Sequence, residues 1–255
     1  MLRNEMKRDL EEGKKVYGTM LQEMVSPTAA QVFKRAGFDF FMVDCEHSPY
    51  DQGSVREILR VARLEEICPL VRIRNLDYSL AAGYLDAGAM GLMLPGVEKV
   101  TDTETLVSFM KYPPEGIRGL SGDAPHSDYR FGDLAEFIEI KNQDTVAIAQ
   151  IERKVAIENL EEILSVTGID VALVGPEDLS LSYGVPGQTS HPTVVNAIQK
   201  VIDISVKLGV APGIHLGNIE KLIEWKEKGM QVIMYNSDLG FLLEGAKEGI
   251  KALKN

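Results

Sequence analysis

Residues 38–48 read FDFFMVDCEHS, a mostly apolar run followed at once by Asp44, Cys45, Glu46 and His47. An apolar run without regular polar alternation is typical of a parallel strand that is buried on both faces. In parallel α/β folds, the carboxyl ends of the strands form the face that binds ligands. The stretch therefore predicts a buried strand that delivers polar side chains to a site.

The same order recurs along the chain, because short apolar runs alternate with amphipathic stretches of helical period. We predict strands at residues 15–22, 38–45, 69–74, 91–97, 145–152, 170–177, 211–216 and 231–236. We predict helices at 27–37, 53–65, 79–88, 101–111, 133–142, 156–166, 192–208, 218–229 and 239–253. The stretch between 112 and 132 is predicted to be one long loop.

Eight strand–helix units in 255 residues favour the α/β class and a closed (β/α)8 TIM barrel. The open, doubly wound sheet is the structural alternative. The sequence contains no evident linker or low-complexity tract, so we expect a single domain over residues 1–255.

Charge and composition exclude several classes of partner. The net charge is -11 and Lys and Arg are not concentrated in any stretch, which argues against nucleic acid and anionic membranes as partners. No apolar run is long enough to span a bilayer, and the charged N-terminal stretch does not resemble a signal peptide. Cys45 and Cys68 both lie in or beside apolar runs. We therefore expect a cytoplasmic protein with two reduced, buried thiols.

The predicted strand ends carry a ring of polar groups dominated by carboxylates. Its members are Asp44, Glu46, His47, Arg72, Gln150, Glu152, Glu177, Asp178, His215, Asn236 and Asp238. No lysine lies at a predicted strand end, which argues against a Schiff-base mechanism. His126 and His191 fall in predicted loops and are expected to be exposed.

Glu152 and Asp178 follow neighbouring predicted strands, so their oxygens can reach one point. Two carboxylates, with water and substrate oxygens as further ligands, suit a hard divalent cation such as Mg²⁺ or Mn²⁺. The alternative is structural: Asp178 caps the following turn, and Glu152 pairs with Arg153 or Lys154.

Arg72 and His47 each allow two interpretations from the residues alone. Arg72 interrupts an apolar run, so its charge needs either a substrate carboxylate or a neighbouring acid as a partner. His47 is either a general base whose ring Asp44 orients, or a histidine beside a helix start.

The motifs reached in this way resemble those of the HpcH/HpaI aldolases, which are class II, metal-dependent pyruvate aldolases. The stretches that carry the resemblance are FDFFMVDCEHSPYD, PLVRIRN, YLDAGAMGLMLPGVE, KYPPEGIRG, AQIERKVAIENLEEI and VALVGPEDLSLSYGVPGQTSHPTV. They extend in order over nearly the whole chain. Family members include 4-hydroxy-2-oxoheptanedioate aldolase and 2-dehydro-3-deoxyglucarate aldolase.

The resemblance implies a (β/α)8 barrel whose last helix is exchanged between subunits, usually in a homohexamer. It also implies a role for each matching residue. The metal ligands would be Glu152 and Asp178; Arg72, Gln150, Gly175, Pro176 and Glu177 would bind the 2-oxo acid; His47, held by Asp44, would be the acid/base group; and Asp86 would act across a subunit interface.

The implied reaction is the reversible retro-aldol cleavage of a 4-hydroxy-2-oxo acid to pyruvate and an aldehyde. A divalent metal (Mg²⁺, Mn²⁺ or Co²⁺) would polarise the 2-oxo group and stabilise the enolate. Oxaloacetate decarboxylation at the same site and a non-catalytic barrel that binds small acids are the alternatives. The chain departs from the family pattern at Cys45, at His215 and in the 119–132 loop, so the aldehyde that it uses stays open.

Overall fold

The computed structural model describes residues 3–130 and 132–254. Eight parallel strands form a closed barrel in which each strand pairs with the next, and the last pairs with the first. The strands are β1 (Val16–Leu21), β2 (Phe40–Asp44), β3 (Cys68–Arg72), β4 (Gly91–Leu94), β5 (Val146–Ile151), β6 (Val171–Val174), β7 (Ala211–Leu216) and β8 (Val232–Ser237). The predicted (β/α)8 barrel is confirmed, and the open sheet is wrong.

Helices surround the barrel, and within the described residues none has the length and apolar character to cross a bilayer. They are α1 (Glu5–Glu11), α2 (Thr28–Ala36), α3 (Gln52–Leu64), α4 (Tyr78–Asp86), α5 (Val100–Met110), α6 (Leu134–Asp144), α7 (Lys154–Glu158), α8 (Leu160–Leu164), α9 (Pro176–Ser182), α10 (Pro192–Leu208), α11 (Ile219–Glu227) and α12 (Asp238–Lys254). The predicted helix at 156–166 is divided into α7 and α8.

Two short helices, α1 and α9, were not predicted, because each is too brief to show a helical period. The strand predicted to run to residue 177 ends at Val174, since the fixed φ of Pro176 begins α9 instead. At the other end of the barrel, the Asn4 side chain caps α1 and donates hydrogen bonds to the carbonyl groups of Met90 and Asp144.

Side chains point alternately into and out of the barrel along each strand, which gives one core inside the barrel and another between the strands and the helices. Met42, Leu70 and Ile148 point into the barrel and belong to a core of their own, whereas the residues between them pack beneath the helices. One inward position further along, the side chains become polar. These are Asp44, Arg72 and Gln150, and on β7 His215 follows Gly213 in the same way. The barrel is therefore apolar in its middle and polar at its carboxyl end.

The predicted loop at 112–132 folds back against α4 and α6, and it contains a 3-10 helix, Pro125–Ser127. The prediction that His126 is exposed is wrong: its ring is 2% exposed and packs edge-on against Phe137, with centroids 5.5 Å apart. Burial, together with the nearby charge of Arg118, lowers the pKa of His126 to about 4. The ring is therefore neutral at physiological pH.

Candidate active site

A cavity of about 190 Å³ opens at the carboxyl ends of the strands. Seven of the residues predicted for the site line it: His47, Arg72, Gln150, Gly175, Pro176, Glu177 and Asp178. Met20, Met93 and Leu173 form its apolar floor. Asp44 and Glu152 lie directly behind this lining and are bonded to members of it.

Asp44 and Arg72 form a buried, two-pronged ion pair at the ends of β2 and β3. The Nε and NH2 groups of Arg72 donate to the two carboxylate oxygens of Asp44 at 2.9 and 2.6 Å. Burial alone would raise the pKa of Asp44, but the hydrogen bonds and charge of Arg72 outweigh it and leave the pKa below its ordinary value. The carboxylate is therefore ionised and fixes the plane of the guanidinium.

The prediction that Asp44 orients the His47 ring is wrong. Besides Arg72, Asp44 accepts only main-chain N–H groups among the described residues, those of Glu46 and His47, at 3.0 and 3.3 Å. The acid beside the imidazole is Glu46, whose Oε2 lies 3.7 Å from His47 Nε2. Asp44 was assigned to the ring because it is close in sequence, whereas the strand pairing places it opposite Arg72.

Glu46 and His47 form the exposed rim of the cavity. The side chain of His47 is 68% exposed, and that of Glu46 also contacts Arg72, with Oε2 3.2 Å from NH1. Partial burial raises the pKa of Glu46, although the charge of Arg72 opposes this shift. The His47 ring is therefore open to solvent and has the Glu46 carboxylate beside it.

Gln150 connects Arg72 to Glu152. Its Oε1 lies 3.4 Å from Arg72 NH1, and its amide nitrogen donates to Glu152 Oε2. The other oxygen of Glu152 accepts the main-chain N–H of Gly96 at 2.7 Å. Gly96 has a φ of 60°, which glycine adopts without strain. The side chain of Glu152 is thus fixed from two sides.

The structural alternatives predicted for Glu152 and Asp178 are not found. Arg153 pairs with Glu98, and Lys154 pairs with Glu158. The N-cap of α9 is Gly175, so Asp178 lies in the first turn and does not cap the helix. Both acids remain available to the cavity.

The donor set at Glu152 and Asp178 fits a hard cation. Burial raises the pKa of Glu152, and so do the negative charges of Asp178 and Glu46, which shows that the carboxylates repel each other. No group of three or more His, Cys, Asp or Glu side chains arranged for a metal occurs in the described part of the chain. Two carboxylates with several water or substrate oxygens match the ligands that Mg²⁺ accepts.

Asp86 lies apart from this cavity. It ends α4, pairs with the buried Arg118 at 2.7 Å and lines a separate cavity of about 440 Å³ on the outer surface. Asp86 is thus not brought together with the other predicted site residues of the same chain.

His215 and Gly96 complete the site. From the sequence, His215 was a member of the polar ring without a predicted role, and Gly96 was not assigned to the site. His215 lines the cavity from β7, and its Nε2 lies 2.9 Å from the carbonyl oxygen of Asn236. The inward alternation of β7 explains why His215 faces the cavity. No local signal would have identified Gly96, because its contact with Glu152 joins two strands.

Asp238, also named in the polar ring, instead accepts the N–H groups at residues 22–24.

Known proteins resemble this chain in sequence and in fold over most of their length. A hydroxypyruvate/pyruvate aldolase from Roseobacter denitrificans is 32% identical over 244 residues, covering 96% of this chain and 94% of that protein. A pyruvate aldolase from Rhizobium etli is 36% identical over 211 residues, covering 83% and 82%. The crystal structure of an HpcH/HpaI aldolase from Desulfitobacterium hafniense has a TM-score of 0.94 at 34% identity, covering 98% of this chain and 96% of that one.

The sequence profile of a family described as HpcH/HpaI aldolase/citrate lyase matches residues 20–244, which is most of the chain. Both of these relatives are themselves named as aldolases. The chain therefore belongs to the HpcH/HpaI aldolase/citrate lyase family.

Proposed function

We propose that the protein is a metal-dependent pyruvate aldolase that cleaves a 4-hydroxy-2-oxo acid to a small 2-oxo acid and an aldehyde. The observation that carries the proposal is the connected array Asp44–Arg72–Gln150–Glu152, which faces Asp178 and the start of α9 across one cavity. The names of the relatives, pyruvate and hydroxypyruvate aldolases, support pyruvate or hydroxypyruvate as the 2-oxo acid.

Arg72 and the first turn of α9 bind the 2-oxo acid in this proposal. Asp44 holds the guanidinium in plane, so NH1, which contacts Glu46 and Gln150 at the cavity wall, is already ordered before the substrate binds. The carboxylate of the substrate lies against the main chain at Gly175, Pro176 and Glu177, where the positive end of the short helix favours an anion. Gln150 positions the 2-oxo group beside Arg72.

Glu152 and Asp178 would hold a divalent cation (Mg²⁺, Mn²⁺ or Co²⁺), which would polarise the 2-oxo group and stabilise the negative charge that develops there. The fixed orientation of Glu152, bonded to Gly96 and Gln150, presents its remaining lone pairs in one geometry. Arg72 adds positive charge on the other side of the 2-oxo oxygen.

His47 moves the proton in this proposal. It removes the proton of the 4-hydroxyl group as the bond between carbons 3 and 4 breaks, and the electrons of that bond pass to the 2-oxo group. Protonation of carbon 3 then releases the 2-oxo acid. Glu46, which lies 3.7 Å from the ring, stabilises the imidazolium that forms.

The test measures release of pyruvate from 4-hydroxy-2-oxo acids before and after treatment with a chelator. We expect a chelator to abolish activity and Mg²⁺ or Mn²⁺ to restore it. Glu152→Gln should lower kcat/KM by at least about 100-fold, because it removes the charge but keeps the shape. Glu98→Gln is the matched control, since Glu98 is an exposed acid that pairs with Arg153 outside the cavity.

Three outcomes would contradict the proposal. Full activity of both Glu152→Gln and the chelated protein would show that the carboxylates hold no functional metal. A large excess of oxaloacetate turnover over aldol cleavage would favour a decarboxylase at the same site. Absence of both activities and of metal uptake, measured by calorimetry, would favour a barrel that only binds small acids.

A further inference from the structure

His215 is a polar group in the cavity wall to which the proposed reaction gives no role. It points inward from the end of β7, one inward position beyond Gly213, and faces the same cavity as Arg72 and Gln150. The floor beside it is made by Met20, Met93 and Leu173. A polar side chain placed above an apolar floor is available to a polar group of the substrate.

The ring of His215 is held in one orientation by an unusual stretch of β8. Its Nε2 lies 2.9 Å from the carbonyl oxygen of Asn236, and the Thr19 hydroxyl donates to the same oxygen at 3.3 Å. Asn236 has a φ of 55°, and the pairing of β1 with β8 shifts register at this point. Such bulges redirect main-chain groups beside functional sites.

The hydrogen bond to Asn236 fixes the tautomer, because a carbonyl oxygen only accepts and Nε2 must therefore carry the proton. Burial lowers the pKa of His215, and the charge of Arg72 lowers it further, although the Asn236 carbonyl opposes this. The ring is thus neutral at physiological pH. Its Nδ1 is an acceptor that forms no hydrogen bond with any residue the structure describes.

The position of this acceptor indicates what it binds, given the proposed function. In the proposed function, Arg72, Gln150 and the start of α9 bind the carboxylate and 2-oxo groups. The apolar floor and His215 are then the parts of the lining left for carbon 3. The methyl group of pyruvate would contact only that floor. A hydroxyl group on carbon 3 has His215 Nδ1 as its acceptor, since His47 at the rim is engaged with the 4-hydroxyl group.

We propose that His215 is a specificity-determining residue that accepts a hydrogen bond from a hydroxyl group on carbon 3 of the 2-oxo acid. This inference rests on the proposed aldolase function. The site then prefers hydroxypyruvate to pyruvate as the nucleophile in the condensation direction, and a 3,4-dihydroxy-2-oxo acid as the substrate for cleavage.

The test measures kcat/KM for the condensation of acetaldehyde with either pyruvate or hydroxypyruvate. Acetaldehyde is chosen because it has no hydroxyl group. His215→Leu should lower kcat/KM for hydroxypyruvate by about 10-fold, the value of one hydrogen bond, and change that for pyruvate by less than about 3-fold. His215→Gln keeps a side-chain oxygen and should retain part of the preference. In wild type but not His215→Leu, hydroxypyruvate should raise the melting temperature more than pyruvate does.

Each remaining outcome has one meaning. Equal losses for the two acids, with a lower melting temperature of the unliganded variant, would show that His215 is structural and would overturn the inference. A loss that appears only when glycolaldehyde replaces acetaldehyde would assign His215 to the aldehyde and would also overturn it. If wild type condenses neither acid with any aldehyde, the proposed function itself fails; if it condenses both but the ratio is unchanged in His215→Leu, only the inference fails.

Discussion

Arg72 is the residue on which the site depends, because it contacts two acids and the amide of Gln150. Asp44 neutralises it from behind, Glu46 approaches from the rim, and Gln150 connects it to Glu152. An arginine inside a barrel is stable only when its charge is met in this way. The carboxylate of Asp44 is therefore as necessary as the guanidinium it holds.

Asp44→Asn removes the countercharge of Arg72 while preserving size. We expect the free energy of unfolding to fall by about 3 kcal/mol, because the buried guanidinium loses its two-pronged partner and keeps only the more exposed Glu46. We also expect kcat/KM to fall by about 100-fold, since the guanidinium is no longer held in plane. Urea unfolding and steady-state kinetics measure the two effects. Asp77→Asn is the control: Asp77 caps α4 from an exposed position, and Asn caps equally well.

The same pair predicts a dependence on pH. The pKa of Asp44 is lower in the folded protein than its ordinary value of 3.8, so the folded state binds fewer protons than the unfolded state in acid. Its contribution is therefore complete above about pH 5 and is lost as the pH falls through the lowered pKa. Urea unfolding of wild type and Asp44→Asn should give stabilities that converge in acid. A constant difference would contradict the assignment.

Gly175 allows Gln150 and Glu152 to approach the main chain between β6 and α9. A methyl group there would lie 3.0 Å from Glu152 Oε2 and 3.2 Å from Gln150 Nε2. We expect Gly175→Ala to lower kcat/KM by about 10-fold or more by displacing these side chains, at a cost in stability of about 1 kcal/mol. Gly217→Ala, at the end of β7 with no atom within 4 Å, should leave both unchanged. Equal activity of the two variants would contradict this account.

Strands and helices position these residues, and the sequence predicted the strands and helices better than it predicted the contacts of single residues. All eight strands were predicted, because each is an apolar run too long and too continuous for a loop. The partners of Asp44 and Glu152 were not, because they come from neighbouring strands and depend on register. Register is set by packing across the barrel, which leaves no local pattern in the sequence.

The junction of β8 with α12 shows how one element holds another. Gly240 lies so close to the side chain of Asn236 that a methyl group would overlap its amide. Gly240→Ala should displace Asn236, lower the free energy of unfolding by about 2 kcal/mol and reduce activity through His215. A methyl group at Gly245 in the same helix would have no atom within 4 Å. Gly245→Ala should therefore raise the free energy of unfolding by about 0.5 kcal/mol. Thermal unfolding of both variants measures the contrast, and equal effects would contradict it.

The molecule as a whole leaves its last helix uncovered. Within the described residues of α12 only Asp238 is buried, whereas Leu239, Leu242, Leu243, Ile250 and Leu253 are 45–84% exposed. An apolar groove of about 420 Å³, lined by Val32, Phe33 and Phe241 among others, opens beside its start. Exposed apolar area of this extent marks a contact with another protein.

We propose that α12 packs against a second copy of the chain in a homo-oligomer, for which the resemblance to the family implies a hexamer. The double substitution Leu242→Lys and Leu243→Lys should lower the mass measured by analytical ultracentrifugation, because charges replace the apolar contact. Val206→Lys is the control, since Val206 is similarly exposed (64%) on α10. An unchanged mass of the double variant would place the interface elsewhere.

Assembly would also explain why Asp86 lies outside the cavity of its own chain. It is held by Arg118 at 2.7 Å, is part-exposed and lines the separate cavity on the outer surface. We propose that Asp86 completes the site of a neighbouring subunit. Glu152→Gln and Asp86→Ala should then each be nearly inactive alone. Mixing the two after dissociation should restore about a quarter of wild-type activity, because some interfaces combine two intact halves. If mixing restores no activity, Asp86 acts within its own chain or only supports Arg118. The same conclusion follows if either variant alone regains activity after dissociation and dilution.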